Sequence, residues 1–235
     1  MGINHKPLSI GLKLDQEKVD ERLIMLCDGV FAIAITLLVL DIKLDVKGGD
    51  INTAISDLLK GKILFYIITF FVIANYWIIH RELMHIIKRM DALLIRLTFL
   101  FLAFITFFPV AFTMLADYGQ FAQVTILYTL VLAGCGFSAQ LLWWCASWNH
   151  RLIDPNMDLR EIRYRTISGL IVPVFICLSL LLIPFVHDPT EIYYSWLLLL
   201  VIHRVTSVIH KRIQKGLAEE KDQKQQTLAS NEPAR

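Results

Sequence analysis

Six long apolar runs constrain this chain more than any other feature of its sequence. Each approaches the roughly 20 residues that an α-helix needs to cross the ~30 Å hydrocarbon core of a bilayer. They run over about residues 23–44, 63–87, 92–115, 122–146, 167–186 and 192–209. The composition agrees, because 56% of the residues are hydrophobic and 19% are charged, which is more apolar than a typical soluble domain. We therefore predict an all-α integral membrane protein with six transmembrane helices.

Outside these runs the chain offers no second folded domain. We assign residues 1–210 to the transmembrane domain and predict that residues 211–235 form a disordered cytoplasmic tail, because that segment is polar and almost free of large apolar residues. The four cysteines fall inside the predicted spans without CxxC spacing, so neither a disulfide framework nor a zinc site is expected. A formal net charge of +2 gives no reason to expect nucleic acid as a partner, and no cofactor is predicted.

Lysine and arginine are concentrated on one side of the predicted membrane topology. They cluster before helix one, after helix two, after helix four and in the tail, which are all on the same side of a six-span chain. The two middle clusters comprise Arg81, Lys88, Arg89, Arg96, Arg151, Arg160, Arg163 and Arg165. Since short loops rich in these residues stay in the cytoplasm, both termini are predicted to be cytoplasmic.

The first predicted helix carries ionisable residues that need an explanation. Arg22 and Asp41 lie near its two ends and Asp28 lies inside it. Charged side chains at membrane depth are costly and suggest a function, although residues at the ends can also extend into the lipid headgroups. Asp28 lies about a turn and a half from Arg22, so it needs a partner.

Helix two returns to the basic side and brings candidate partners to the depth of Asp28, and helix three begins at the same depth. We predict a polar network whose members satisfy one another: Arg22, Asp28, Trp77, His80 and Asp91. Two interpretations stay open. The network either fixes three helices together, which we favour, or it moves protons between Asp28 and His80, because histidine titrates near neutral pH.

One stripe of the first helix offers a candidate lining for a pore. At ~100° per residue, Gly29, Ile33, Thr36 and Leu40 share a face, with Leu37 on its edge. Thr36 is the only hydroxyl in the apolar part of this helix. Ordinary packing against lipid or other helices is the more common use of such a stripe, and lining a pore is the alternative.

A resemblance to a known family bears on this choice. The segment RLIMLCDGVFAIAITLLVLD, which begins at Arg22, resembles the first helix of the transmembrane protein 175 family of lysosomal and prokaryotic potassium channels. The family signature is Arg, three residues, then Phe-Ser-Asp. Arg22 and Asp28 match it, while Leu26 and Cys27 stand in place of the Phe and the Ser. The run YWIIHR at 76–81 similarly resembles the family's second helix.

The resemblance implies a homotetramer around a pore lined by helix one, conducting K⁺ without the Thr-Val-Gly-Tyr-Gly filter of ordinary potassium channels. It implies a constriction at Ile33, with Thr36, Leu37 and Leu40 completing the pore face toward the outside. Asp41 would ring the outer mouth and concentrate cations there. A single six-helix unit points to a prokaryotic plasma membrane, and no helix resembles a voltage sensor. The expected function is a potassium-selective leak channel.

Two other function classes compete with a channel. A proton-coupled transporter or proton pathway would use Asp28 and His80, but the helices lack the paired Gly/Pro-interrupted spans that mark transporter sites. An intramembrane enzyme would show a motif such as HExxH or GxSxG, or paired catalytic aspartates in facing spans. None of these is present in the sequence, so we predict that the protein is not an enzyme.

Overall fold

The computed structural model describes residues 6–40 and 61–196, with residues 42, 51–52, 55, 58, 198–199, 206, 208–209, 212, 215–216 and 219. Among these residues, side chains are described from residue 19 onward, apart from those at 190 and 194. The α-helices of the described chain are α1 (Lys6–Leu40), α2 (Lys62–Ile86), α3 (Ala92–Tyr118), α4 (Ala122–Ser147), α5 (Leu159–Ser179) and α6 (Ile192–Ser195). Short 3₁₀ helices cover Trp148–His150, Leu180–Phe185 and Pro189–Glu191.

Within the described residues, five helices are long and apolar enough to cross a membrane. They are Val19–Leu40, Lys62–Ile86, Ala92–Tyr118, Ala122–His150 and Leu159–Phe185. The all-helical membrane class is thereby confirmed. The sixth predicted span, 192–209, is described only in part, and the predicted tail, 211–235, lies mostly outside the described residues.

The observed helix bounds agree with the predicted apolar spans where the helix ends with the apolar run. They differ where the helix continues into polar sequence. The middle three helices, α2, α3 and α4, begin and end within three residues of the predicted spans. By contrast, α5 begins at Leu159 because Asp158 caps it, accepting a hydrogen bond from the Arg160 amide at 2.7 Å. The Glu161–Arg165 ion pair at 2.6 Å then supports its polar first turns. An apolar window cannot detect such an extension.

The centre of the fold is α4, which packs against α3 on one side and α5 on the other. Small residues on α4 allow this close approach: Gly134 faces the ring of Phe104, and Gly136 faces Pro173 of α5. A buried hydroxyl also bonds between two helices, where no water competes for it. The Tyr76 hydroxyl donates to the Leu132 carbonyl at 2.8 Å and thereby joins α2 to α4.

A methyl group at Gly136 should loosen the contact between α4 and α5. Its Cβ would lie 2.8 Å from Pro173 and 3.4 Å from the Tyr76 hydroxyl, and overpacking of this kind costs about 1–3 kcal/mol. We expect Gly136→Ala to lower the unfolding temperature measured by fluorescence in mild detergent. Gly29→Ala is the matched control, because a Cβ there meets nothing within 4 Å. Equal losses in the two variants would contradict the proposed packing.

Candidate pore helix and its polar network

The described part of α1 has one face turned into the subunit and one turned away from it. Residues at three- and four-residue spacing are buried against the rest of the chain: Leu23, Cys27, Phe31, Ala34 and Leu38. The opposite face is exposed, with Ile33 at 60%, Leu37 at 42% and Leu40 at 67% of their full surface. Thr36 and Gly29 are exposed on the same face. The predicted stripe therefore points away from its own subunit.

The buried face of α1 is held by aromatic packing against α2 and α3. The ring of Phe31 lies 5.9 Å from the ring of Phe101 and 6.0 Å from that of His80, centroid to centroid. Such tilted ring pairs contribute about 0.5–1.5 kcal/mol beyond the surface they bury. This contact sets the rotation of α1 about its own axis, and with it the direction of the exposed stripe.

The hydroxyl of Thr36 is engaged within its own helix. Its Oγ1 donates to the Ile33 carbonyl at 3.0 Å. Because the proton is used inside the helix, the oxygen lone pairs are left on the exposed face, where they can accept from water or approach a cation.

The structure brings two members of the predicted polar network together. Nε1 of Trp77 donates to Oδ1 of Asp28 at 2.8 Å, which joins α2 to α1. The guanidinium of Arg81 lies 5.7 Å from the centre of the Trp77 ring, within the range of a cation–π contact. Arg81 was absent from the predicted network, although its place four residues after Trp77 puts both on one face of the helix.

His80 occupies a different environment from the one predicted. It is 2% exposed, and its ring stacks on Phe101 at 5.5 Å with an interplanar angle of 6°. Its Nε2 has no hydrogen-bond partner in the part of the chain that the structure describes, and no hydrogen bond joins it to Asp28 there. His80 therefore lies in the aromatic core between α1, α2 and α3.

Asp91 also belongs to other contacts than those predicted. One of its carboxylate oxygens accepts from the Leu94 amide at 2.9 Å and caps α3, and the other pairs with the Arg151 guanidinium. The free amides of a helix N-terminus attract a carboxylate, which explains why Asp91 turns to its own helix. Arg22 is exposed and makes no ion pair with another described residue. Asp41 lies outside the described residues.

An open apolar groove lies at the edge of the exposed stripe, between the end of α1 and α3. Its volume is about 410 Å³. It is lined by Leu37, Leu40, Pro109, Val110, Thr113 and Met114. Across the described residues, no cluster of three His, Cys, Asp or Glu side chains could hold a metal ion.

Comparison with known proteins identifies the family. A family model described as the endosomal/lysosomal potassium channel TMEM175 matches residues 22–109, which include α2 and the part of α1 that bears the stripe. A potassium channel of Streptomyces collinus is 31% identical over 183 residues, covering 72% of this chain and 88% of the relative. The chain belongs to the TMEM175 family. A potassium channel of Chamaesiphon minutus is 30% identical over 159 residues, covering 63% of this chain and 78% of the relative.

A solved structure shows that the fold is shared with this family. It is the crystal structure of a lysosomal potassium-selective channel TMEM175 homolog from Chamaesiphon minutus, and it matches with a TM-score of 0.64 at 24% sequence identity. The match covers 80% of this chain and 98% of that one. As a member of the TMEM175 family, the protein belongs to the ion channels and is not an enzyme.

Substitutions of His80 test whether its side chain serves packing or conduction in this member of the TMEM175 family. His80→Ala leaves a cavity between Phe31 and Phe101, so we expect a loss of about 3 kcal/mol in stability with K⁺ over Na⁺ selectivity retained. His80→Phe keeps the ring and removes a nitrogen without a partner, so stability and flux should match the parent. Thermal unfolding and liposome flux measure the two properties. A His80→Phe protein that is stable but conducts poorly would place His80 in the ion path.

Proposed function

We propose that this protein is a potassium-selective leak channel in which four copies of α1 line the pore. The observation that carries the proposal is the division of α1 into two faces, with Ile33, Thr36 and Leu40 turned away from the subunit that Phe31 and Leu38 anchor. The names of the relatives as potassium channels support it. The proposed setting is a plasma membrane, with six spans per chain and both termini in the cytoplasm.

A single subunit offers one candidate pore helix, and one helix cannot enclose an ion path. Cyclic assembly supplies the missing walls, because identical subunits then place identical residues in rings around the axis. The exposed stripe of α1 is suited to this arrangement, since Ile33 and Leu40 are more than half exposed in the described subunit. The pore is thus complete only in the homotetramer.

The apolar members of the stripe would form the constrictions. Rings of Ile33 and Leu40 exclude water when they are narrow and admit it when they widen slightly, which is gating by dewetting. A small rotation or tilt of α1 is sufficient for this change. Leu37, at the edge of the stripe, also lines the groove beside α3 and would pass such a movement to that helix.

The ring of Thr36 would supply the polar layer of the pore. Since each hydroxyl already donates to the Ile33 carbonyl, it presents acceptor lone pairs to a passing cation. Four such oxygens replace part of a hydration shell, and K⁺ gives up its water at a lower cost than Na⁺. Hydroxyl oxygens act more weakly than stacked carbonyl rings, so we propose modest selectivity. Asp41 would concentrate cations at the outer mouth.

The competing proposal of a proton pathway through Asp28 and His80 gains no support from the described contacts. The Asp28 carboxylate accepts from Trp77 at 2.8 Å, whereas His80 stacks on Phe101 inside the aromatic core. A relay needs a continuous path of hydrogen bonds, and among the described residues none links these two side chains.

The assembly state is the first test of this function. Native mass spectrometry in mild detergent should show a tetramer as the dominant species, because only the assembled state closes the pore. Dilution across a wide range of protein concentration should leave that species intact. A population of monomers alone would contradict the proposed pore.

Substitutions on α1 test which face conducts. Ile33→Asn should wet the constriction and raise cation flux several-fold, with Na⁺ admitted more freely. Thr36→Ala removes the hydroxyl layer at little change in bore, so K⁺ over Na⁺ preference should fall while current persists. Liposome flux and reversal potentials measure both effects.

Val39→Asn is the matched control for Ile33→Asn. Val39 is 48% exposed, close to the 60% of Ile33, but it lies about 120° away around the helix at ~100° per residue. The Val39→Asn variant should leave permeation nearly unchanged. If the Val39 variant alters permeation and the Ile33 variant does not, the pore face has been assigned wrongly.

A further inference from the structure

Two tryptophans are exposed where α4 ends. Trp144 is 52% and Trp148 is 64% exposed, and their rings meet edge to face at 5.5 Å. Their spacing of four residues puts both on one side of the helix. Tryptophan at the end of a membrane-spanning helix is typical of the headgroup level, where its apolar ring and its N–H are both accommodated. The pair therefore marks a surface that meets the lipid interface.

The turn after α4 folds the chain back against the last turn of that helix. Asn149 and His150 have φ angles of 52° and 54°, a left-handed conformation that non-glycine residues adopt at a cost. The turn is held by a bond from the Leu152 amide to the Ala146 carbonyl at 3.0 Å. It brings the Arg151 guanidinium within 3.5 Å of Cys145 Sγ, one residue from Trp144.

The turn between α2 and α3 lies against the same corner. The Lys88 amide donates to the Leu152 carbonyl at 2.8 Å, and Asp91 at the end of that turn pairs with Arg151. Arg151 is paired with Asp91, so the other two cations of the turn between α2 and α3 are Lys88 and Arg89. Both are exposed, and neither makes an ion pair with another residue that the structure describes. Backbone bonds thus hold the turn that carries these two exposed cations against the turn that follows α4 and its tryptophan pair.

We propose that Lys88, Arg89, Trp144 and Trp148 form a binding site for an anionic phospholipid. The ammonium and guanidinium groups would bind the headgroup phosphate through charge-assisted hydrogen bonds, and the indole rings would pack against the glycerol and upper acyl chains. A zwitterionic headgroup brings its own cation, which these charges repel, so the site should prefer phosphatidylglycerol to phosphatidylcholine. The proposal stands independently of the pore.

Native mass spectrometry with added lipid tests the charges. The parent protein should retain phosphatidylglycerol in preference to phosphatidylcholine. The double variant Lys88→Gln/Arg89→Gln should lose this preference, by roughly fivefold for each charge removed. Arg163→Gln/Arg212→Gln is the matched control. Both residues are exposed and are predicted to be on the same side of the membrane, and the two substitutions remove the same amount of charge. Equal losses in the two double variants would show a diffuse basic surface and overturn the site.

Quenching of tryptophan fluorescence tests the aromatic pair. Phosphatidylglycerol with brominated acyl chains should quench the parent more strongly than the same chains on phosphatidylcholine, and Trp144→Phe/Trp148→Phe should remove the difference. Soluble glycerol phosphate at the same concentration should not restore the fluorescence. The proposal fails if the difference persists in the double variant, if glycerol phosphate abolishes it, or if the parent shows none.

Discussion

The rotation of α1 about its own axis is the constraint on which the site depends. A bilayer provides no hydrophobic force that presses helices together, so their orientation is decided by the fit of side chains and by a few polar bonds. Here the ring of Phe31 packs against the stacked rings of Phe101 and His80, and Trp77 bonds to Asp28 at 2.8 Å. These contacts lie on one side of α1, and the stripe on the other side is left for partners beyond the subunit.

The scaffold behind α1 is built on α4. Glycine at positions 134 and 136 lets the ring of Phe104 and Pro173 approach the α4 backbone more closely than a larger residue would allow. The Tyr76 hydroxyl then ties α2 to α4 through the Leu132 carbonyl. Because α3 touches both α4 and α1, the position of the candidate pore helix follows from packing that lies one helix away from it.

Several threonines in the helices donate a hydrogen bond to a carbonyl of their own helix, so the bond made by Thr36 is common. What distinguishes Thr36 is its exposure. Thr98 and Thr129 donate to carbonyls of the preceding turn just as Thr36 does. Both of these are fully buried, whereas Thr36 is exposed on the face that points out of the subunit. A satisfied hydroxyl on such a face can meet an ion without leaving a buried donor unpaired.

Length and periodicity alone determined the bounds of α2 to α4 and the exposed face of α1, because both depend on residues close together in the chain. They also placed Trp77 at the depth of Asp28, since helix two must return across the same bilayer. Only the tertiary structure decided which charges and rings meet. Asp91 bonds to its own helix and to Arg151, far along the chain. His80 stacks on Phe101 in the core, and no described hydrogen bond joins it to Asp28. The sequence pattern of a helix predicts the depth of each side chain in the membrane and the face it lies on. Which residue of another helix it contacts depends on distances across the bundle, and these are set by helix packing.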